Sequence, residues 1–251
     1  TLIAGPVEQV LKNDKLPADA REQLVVVERN TNRMLRLVNQ ILDFRKIQNK
    51  KMKMQVQQLN VVAFVRKIMD NFESVAEEHN IDFLFQTEKE ALNLWVDADK
   101  FEKIVFNLLS NAFKYTPEKG TILISVKVIN AKLEVKVYNT GKGISKENIP
   151  LIFNRYSVLD NIKENSIKGL SSRNGLGLAI CHSMVELLQG IIKVESEVNQ
   201  YAQFTVTLPQ LEITENSSQK QEDVPKLIQK NSMNRQELEN ATAGDKCAQP
   251  E

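Results

Sequence analysis

"NLLSNAFKYT", residues 107–116, is the stretch on which the reading of this chain turns. Most of it is an apolar helix segment, yet Asn107 and Asn111 stand four apart, with Lys114 and Tyr115 following. Carried back one turn, Phe101, Ile104, Val105, Leu108, Leu109 and Ala112 form a broad apolar face suited to packing on a sheet. Asn107, Asn111 and Lys114 fall on a separate, narrower stripe at i, i+4 and i+7. Amide oxygens suit a hard cation, and Mg²⁺ takes few protein ligands where phosphates supply the rest. A lysine one turn on can meet a phosphate. The plainer alternative is a solvated helix edge on which two asparagines happen to align.

Around this helix the pattern alternates between sheet and helix periods. Asp97 or Asp99 caps it. Upstream, Asn60 caps a helix expected to run to about His79, and "IDFLFQTE" and "LWVDA" have the period of strands. Downstream, "TILISVKVINAKLEVKVYN" reads as two alternating strands about a tight Asn-Ala turn. Residues 142–174 are rich in Asn, Ser, Lys and Gly, without a long periodic element, and suggest a loop or lid. Residues 175–189 form a helix opened by "NGLGLAI"; "IIKVESE" and "YAQFTVTLP" close the set as a strand pair. Strands packed on helices make an α/β sandwich.

The N-terminal quarter differs. Residues 1–13 fit the end of a helix, and "NDKLPADAR" a turn and a new start, with Pro17 in the first turn and Asp19 at the positive end of the dipole. Leu24, Val27, Thr31, Met34, Val38, Ile41 and Arg45 then alternate steps of three and four, a heptad-like stripe reinforced by Leu35 and Leu42. Two helices with a tight turn and no interleaved strand form a hairpin. One hairpin cannot bury both its faces, so a partner hairpin is expected. Past Pro209 the chain turns polar, a linker with a short helix near 233–241.

Composition narrows the function. With 33 Lys and Arg against 32 Asp and Glu, the near-zero net charge offers no field for nucleic acid or an anionic membrane. No apolar run reaches the length of a membrane span and no secretory leader opens the chain. Cys181 and Cys247 stand in unlike contexts, which fits a reducing compartment better than a disulfide.

Two glycine pairs add to the asparagine stripe. "YNTGKGI" (138–144) follows a strand, and its glycines allow close backbone approach to a planar ligand or phosphate. In "GLSSRNGLGLAI" (169–180), Gly175 and Gly177 open a helix whose free N–H groups can cradle phosphates. Either pair alone is compatible with an ordinary turn, and no P-loop pattern is present.

The order of these stretches resembles the ATP-binding domain of sensor histidine kinases, within the gyrase, Hsp90, histidine kinase and MutL superfamily. "NLLSNAFKYT" looks like the N box, "NTGKGI" the G1 box, "IFNRY" the F box and "NGLGLAI" the G2 box. "TLIAGPVEQVL" and "NTNRMLRLVNQILDFRKIQ" resemble the dimerisation hairpin of the same family. The resemblance covers residues 1 to about 209 and implies an α+β chain: a helical hairpin of a dimeric four-helix bundle (1–54), an α/β sandwich ATP-binding domain of the Bergerat type (55–209) and a polar linker tail (210–251).

The same resemblance implies Mg-ATP as ligand, with Asn111 on the Mg²⁺ and Asn107 assisting. Lys114 would contact phosphate and Tyr115 pack on the adenine side. Asn139, Gly141 and Gly143 would border the base; Gly175, Leu176 and Gly177 would hold the phosphates. Arg155 would add a phosphate contact, with lid packing as its alternative. A response-regulator receiver domain, in the same or another chain, is the implied recipient of the phosphoryl group, and a homodimer the implied assembly. The implied setting is the cytoplasm, with the parent protein anchored in the inner membrane by segments outside this chain; no nucleic acid is expected as partner.

Three departures accompany the match. The family's phosphorylated histidine lies in an H-E-x-x-T-P-like motif that would end just before Thr1. Its acidic neighbour is expected there too, so the chain alone is expected not to autophosphorylate. His79 reads as a helix-terminal surface residue and His182 as a packing residue. Asn139 stands where the family usually carries Asp, a weaker acceptor for being uncharged, and Tyr201-Ala202 stand where Gly-Thr is usual. Those last two motivate an alternative, a non-catalytic dimerising relay module with weak or no nucleotide binding. An ATPase or chaperone relative of the superfamily is a third reading, against which the hairpin argues.

Overall fold

The structure, a computed structural model, describes residues 2–13, 16–49, 51–154 and 175–210. Residues 1–210 form one compact unit. The polar tail, with the helix expected at 233–241, lies outside the described residues, as does most of the loop after residue 154.

Helices α1 (Ala4–Leu11) and α2 (Ala18–Gln48) make the expected hairpin. Pro17 sits at the N-cap of α2 rather than inside its first turn; its fixed φ of −55° with ψ 145° ends the turn, and Asp19 follows at the dipole's positive end. Arg21 fastens the connection. Its guanidinium donates to the carbonyls of Leu11 and Asn13, each at 2.9 Å, satisfying groups that the end of α1 leaves open. The heptad-like stripe stays uncovered within one chain: Met34 is 65% exposed and Val38, Ile41 and Leu42 about half exposed.

Residues 51–56 run extended from α2. Met52, Met54 and Val56 turn inward, and Lys51, Lys53 and Gln55 outward. The run leads into β1 (Gln57–Asn60), a strand not expected from sequence, which pairs antiparallel with β2, residues Asn93–Val96, as a small separate sheet. Asn60 caps the next helix as expected, its Oδ1 accepting from Ala63 N at 3.3 Å. That helix does not run unbroken to His79. It divides into α3 (Val61–Met69), a 3₁₀ turn at Asp70–Phe72 and α4 (Glu73–Glu78). The turn carries Phe72 fully into the core, its ring centroid 5.0 Å from that of Phe106 and 5.1 Å from that of Phe113.

Helix α5 (Ala98–Tyr115) holds the decisive stretch, and its predicted apolar face is wholly buried. Asp97 is the cap, with Asp99 in the first turn. Asp97 also does more. Its buried carboxylate accepts from Lys100 N at 3.2 Å, from Gln55 N at 2.7 Å and from Lys100 Nζ at 2.6 Å. Lys100 Nζ reaches on to the Lys53 carbonyl at 2.8 Å. A charged pair is thus shielded from water between the extended run and the first turn of α5.

The main sheet has five strands in the order β3–β4–β5–β7–β6, here numbered β3 (Asp82–Thr87), β4 (Thr121–Ile129), β5 (Lys132–Thr140), β6 (Ile191–Glu197) and β7 (Tyr201–Pro209). Only β3–β4 is parallel. The β4–β5 turn places Asn130 (φ 49°) and Ala131 (φ 55°) both in the left-handed region, the backbone of a two-residue hairpin turn. Helix α6 (Gly177–Leu187) packs beside α5 on the inner face of the sheet, where Ile124, Val126, Val135, Val137, Phe204 and Val206 close the core.

Candidate functional site

Strand register explains where a site can form. Across the inner face one row reads Phe85, Ile124, Val137, Phe204, Val194, all apolar. The neighbouring row reads Phe83, Ile122, Asn139, Ala202, Ser196. Here an amide stands at a core position, 5% exposed, between Ile122 on one neighbouring strand and the methyl group of Ala202 on the other. A buried amide must find partners. Asn139 Nδ2 donates to Thr140 O at 3.0 Å, and with the NH₂ anchored there the remaining acceptor is Oδ1.

Asn139 forms the floor of a pocket of about 640 Å³, its open mouth included, between sheet and helices. Asn111 and Tyr115 of α5, Leu178 of α6, and Ala202 and Phe204 of β7 line it, with Lys142, Gly143, Ile144 and Ile152 from the chain after β5. The walls are apolar and the polar groups few, the composition of a small-molecule pocket. Of the residues expected from sequence, Asn111, Tyr115, Asn139 and Gly143 meet here. Asn107, Lys114, Gly141, Gly175, Leu176 and Gly177 stand outside the lining, and Arg155 lies outside the described residues. Lys142, Ile144, Ile152, Leu178 and Phe204 were not foreseen as site residues. Lys142 and Ile144 sit within "NTGKGI" itself, a stretch in which the Asn and the glycines carry the sequence signal.

The glycines of that stretch stand tightly against neighbouring backbone. A Cβ on Gly143 would fall 2.1 Å from the Glu197 carbonyl oxygen, and one on Gly141 2.4 Å from that of Tyr115. Both have positive φ, 61° and 149°. Their missing side chains make room for neighbouring backbone. The segment is sewn to the β6–β7 turn: Gly141 N donates to Gln200 O at 3.0 Å, Asn199 N to Lys142 O at 2.8 Å and Ile144 N to Ser196 Oγ at 2.8 Å.

The two asparagines of α5 have unlike surroundings. Asn111 faces the pocket. Asn107 faces the first turn of α6. Its Oδ1 is 3.6 Å from where a Cβ of Gly177 would stand, and its side chain hydrogen-bonds Cys181, a fully buried residue. Burial pushes the Cys181 thiol up to about 12, against a smaller opposing effect of Asn107. The thiol donates to the Ile104 carbonyl at 3.6 Å. Lys114 bends over the ring of Tyr115, Nζ 4.7 Å from its centroid.

Neither histidine lines the pocket. His79 Nδ1 is 3.9 Å from Glu118, and the ring of His182 packs 5.2 Å from that of Phe153. Lys103 joins the hairpin to α5, 2.8 Å from Asp43 and 3.1 Å from Asp99. Burial acts to lower its pKa, but the hydrogen bonds to Asp43 and Asp99 outweigh that and raise it.

A mixed sheet covered on one face by helices, with a mostly apolar pocket in between, defines an α/β sandwich. Residues 96–212 match the family of histidine kinase-, DNA gyrase B- and HSP90-like ATPases and belong to it. Within that family the chain is similar to sensor histidine kinases. It is 34% identical over 209 residues to histidine kinase P4 of Formosa agariphila, covering 83% of this chain and 15% of that protein. The chain therefore spans less than a sixth of that relative. In fold it resembles full-length ShkA, solved with AMPPNP (TM-score 0.68, 23% identity, 83% of this chain and 42% of that one). It also resembles histidine kinase ThkA, solved with the response regulator TrrA (TM-score 0.56, 25% identity, 83% and 57%). No described helix is long and apolar enough to cross a membrane.

Proposed function

We propose that this chain is the kinase core of a two-component sensor histidine kinase working in the cytoplasm. Residues 1–54 pair with a second copy into a four-helix bundle, residues 55–209 bind Mg-ATP, and residues 210–251 lead onward as a linker. The observation that carries the reading is that Asn111 and Asn139, from a helix and a strand far apart in sequence, line one pocket.

The residues present fit the ligand. Leu178, Phe204, Ile144 and Ile152 suit a planar base, and Asn139 Oδ1 can accept from its exocyclic amine. Asn111 offers an amide oxygen to Mg²⁺, and Tyr115, with Lys114 over its ring, borders the adenine side. When bound, Mg²⁺ supplies charge neutralisation to the phosphates, and phosphoryl transfer asks little more of the protein than positioning. The phosphoryl group would pass to a histidine supplied from outside these residues, and from there to a receiver aspartate. Neither His79 nor His182 lines the pocket.

Calorimetry of Mg-ATP binding, wild type beside Asn111→Ala, tests the reading. Saturable binding that needs Mg²⁺ and is lost in the variant is the expected result. A wild-type chain without nucleotide binding would overturn it and leave a dimerising relay module.

A further inference from the structure

The inner face of β6 is apolar at Ile192 and Val194, and the pattern breaks at Ser196. Ser196 stands in the same row as Asn139, with Ala202 between them. Its hydroxyl works in two directions. The O–H donates to the Tyr201 carbonyl at 2.6 Å, and the oxygen accepts from Ile144 N at 2.8 Å. A hydroxyl has a single proton, so giving it to Tyr201 leaves lone pairs to face the Ile144 N–H. One oxygen thus ties the β6–β7 hairpin to the segment after β5, whose Gly143 and Ile144 line the pocket. Gly143 packs beside the bridge: a Cβ there would lie 2.1 Å from the Glu197 carbonyl oxygen and 3.0 Å from that of Tyr201. Two more hydrogen bonds hold the segment, Gly141 N to Gln200 O and Asn199 N to Lys142 O, and both run from backbone to backbone. The Ser196 bond is set by a side chain, and it falls on a residue that reaches the pocket.

We propose that Ser196 is a positioning residue for the pocket: its hydroxyl, bridging the Tyr201 carbonyl and the Ile144 amide, holds Gly143 and Ile144 at the pocket wall. Its effect on a ligand rests on the nucleotide reading of that pocket; the bridge itself does not. A residue serving only the stability of the hairpin would loosen the bonds of Gly141, Asn199 and Ile144 together. A bridge acts on the Ile144 amide and on the wall that Ile144 carries.

The test follows backbone amide exchange by NMR in the nucleotide-free chain, for wild type, Ser196→Ala, Ser196→Thr and Ile192→Val. ADP affinity without Mg²⁺ is measured in each by calorimetry. Ile192→Val trims the same face of β6 four residues back, where the partner is Val206. In Ser196→Ala, exchange at Ile144 should speed up at least about tenfold more than exchange at Gly141, as local opening at the bridge becomes easier. ADP affinity should fall about fivefold in Ser196→Ala, return to within about twofold of wild type in Ser196→Thr, which keeps the hydroxyl, and hold in Ile192→Val. Ser196→Cys, of the same shape but a weak acceptor, takes the place of the alanine variant should that not fold, with the same outcomes expected. Exchange at Ile144 rising no more than at Gly141, or an ADP affinity unmoved by loss of the hydroxyl, would overturn the proposal. If the wild-type chain binds no ADP, the nucleotide reading fails, while exchange at Ile144 still decides whether Ser196 holds the segment.

Discussion

Replacing Lys100 by Met should cost the fold about 3 kcal/mol, the low end of what removing one partner of a buried ion pair costs. The magnitude follows from what is left behind. Methionine matches the aliphatic stem of Lys100, so little space opens. The Lys53 carbonyl, on an exposed residue, regains water. Asp97 does not: its side chain is 1% exposed and would be left with two backbone donors, Gln55 N and Lys100 N, and no cation. Those charge-assisted bonds are worth about 1.5–3 kcal/mol each and survive, which is why the low end applies. Asp97→Asn alone strands the ammonium in the same way. The double variant removes both charges and should recover at least about 1.5 kcal/mol of the summed single costs, the coupling expected of contacting residues. Urea unfolding at constant slope gives the numbers, and the chain's one tryptophan is well placed to report them. Trp95 pairs with Gln58, in the small sheet that adjoins the ion pair. In a thermal scan about 3 kcal/mol corresponds to about 6–12 °C for a domain of this size. A Lys100→Met chain within about 1 kcal/mol of wild type, with strictly additive singles, would mean that water reaches the pair and would refute the reasoning.

Three further outcomes are expected. Gly143→Ala should destabilise by more than about 2 kcal/mol, since its Cβ would enter the Glu197 carbonyl and its φ is left-handed; circular dichroism on urea titration reads this out. Because burial raises the Cys181 thiol from 9.0 to about 12, the folded chain holds a proton that the unfolded chain releases between those values. Its contribution is therefore complete below pH 9 and should fall above it by up to about 1.4 kcal/mol per pH unit, seen as a wild-type decline that Cys181→Ala lacks. Asn139→Asp should tighten adenine-nucleotide binding about tenfold by replacing a neutral acceptor with a charged one, and Ala202→Thr should add to it; unchanged dissociation constants in both would place the base elsewhere.

What the sequence made legible followed from periodicity. The apolar face of α5, the alternation in β4 and β5, and the uncovered stripe on α2 are patterns over many residues, and each is where the periods put it. The misses share another cause. Gln57–Asn60 has no strand signature of its own and becomes a strand because Asn93–Val96 lies alongside. The helix after Asn60 breaks because a ring, Phe72, has to reach Phe106 and Phe113. Pocket walls such as Phe204 and Leu178 look like ordinary core in sequence. Most telling are Asn139 and Ala202. They read as two separate departures from the family pattern, yet register makes them partners across β5 and β7. A sequence alone does not carry that pairing.

Helix α5 has 18 residues, about 27 Å of rise. One end is gripped through Asp97 and Lys100 by the run that leaves the hairpin; at the other end, Tyr115 borders the pocket. Flanked on one side by the sheet and on the other by α6, it has no hinge along its length. Residues 53–55 and the pocket wall thus meet the two ends of one continuous helix, so a single element spans the distance from the hairpin's exit to the pocket.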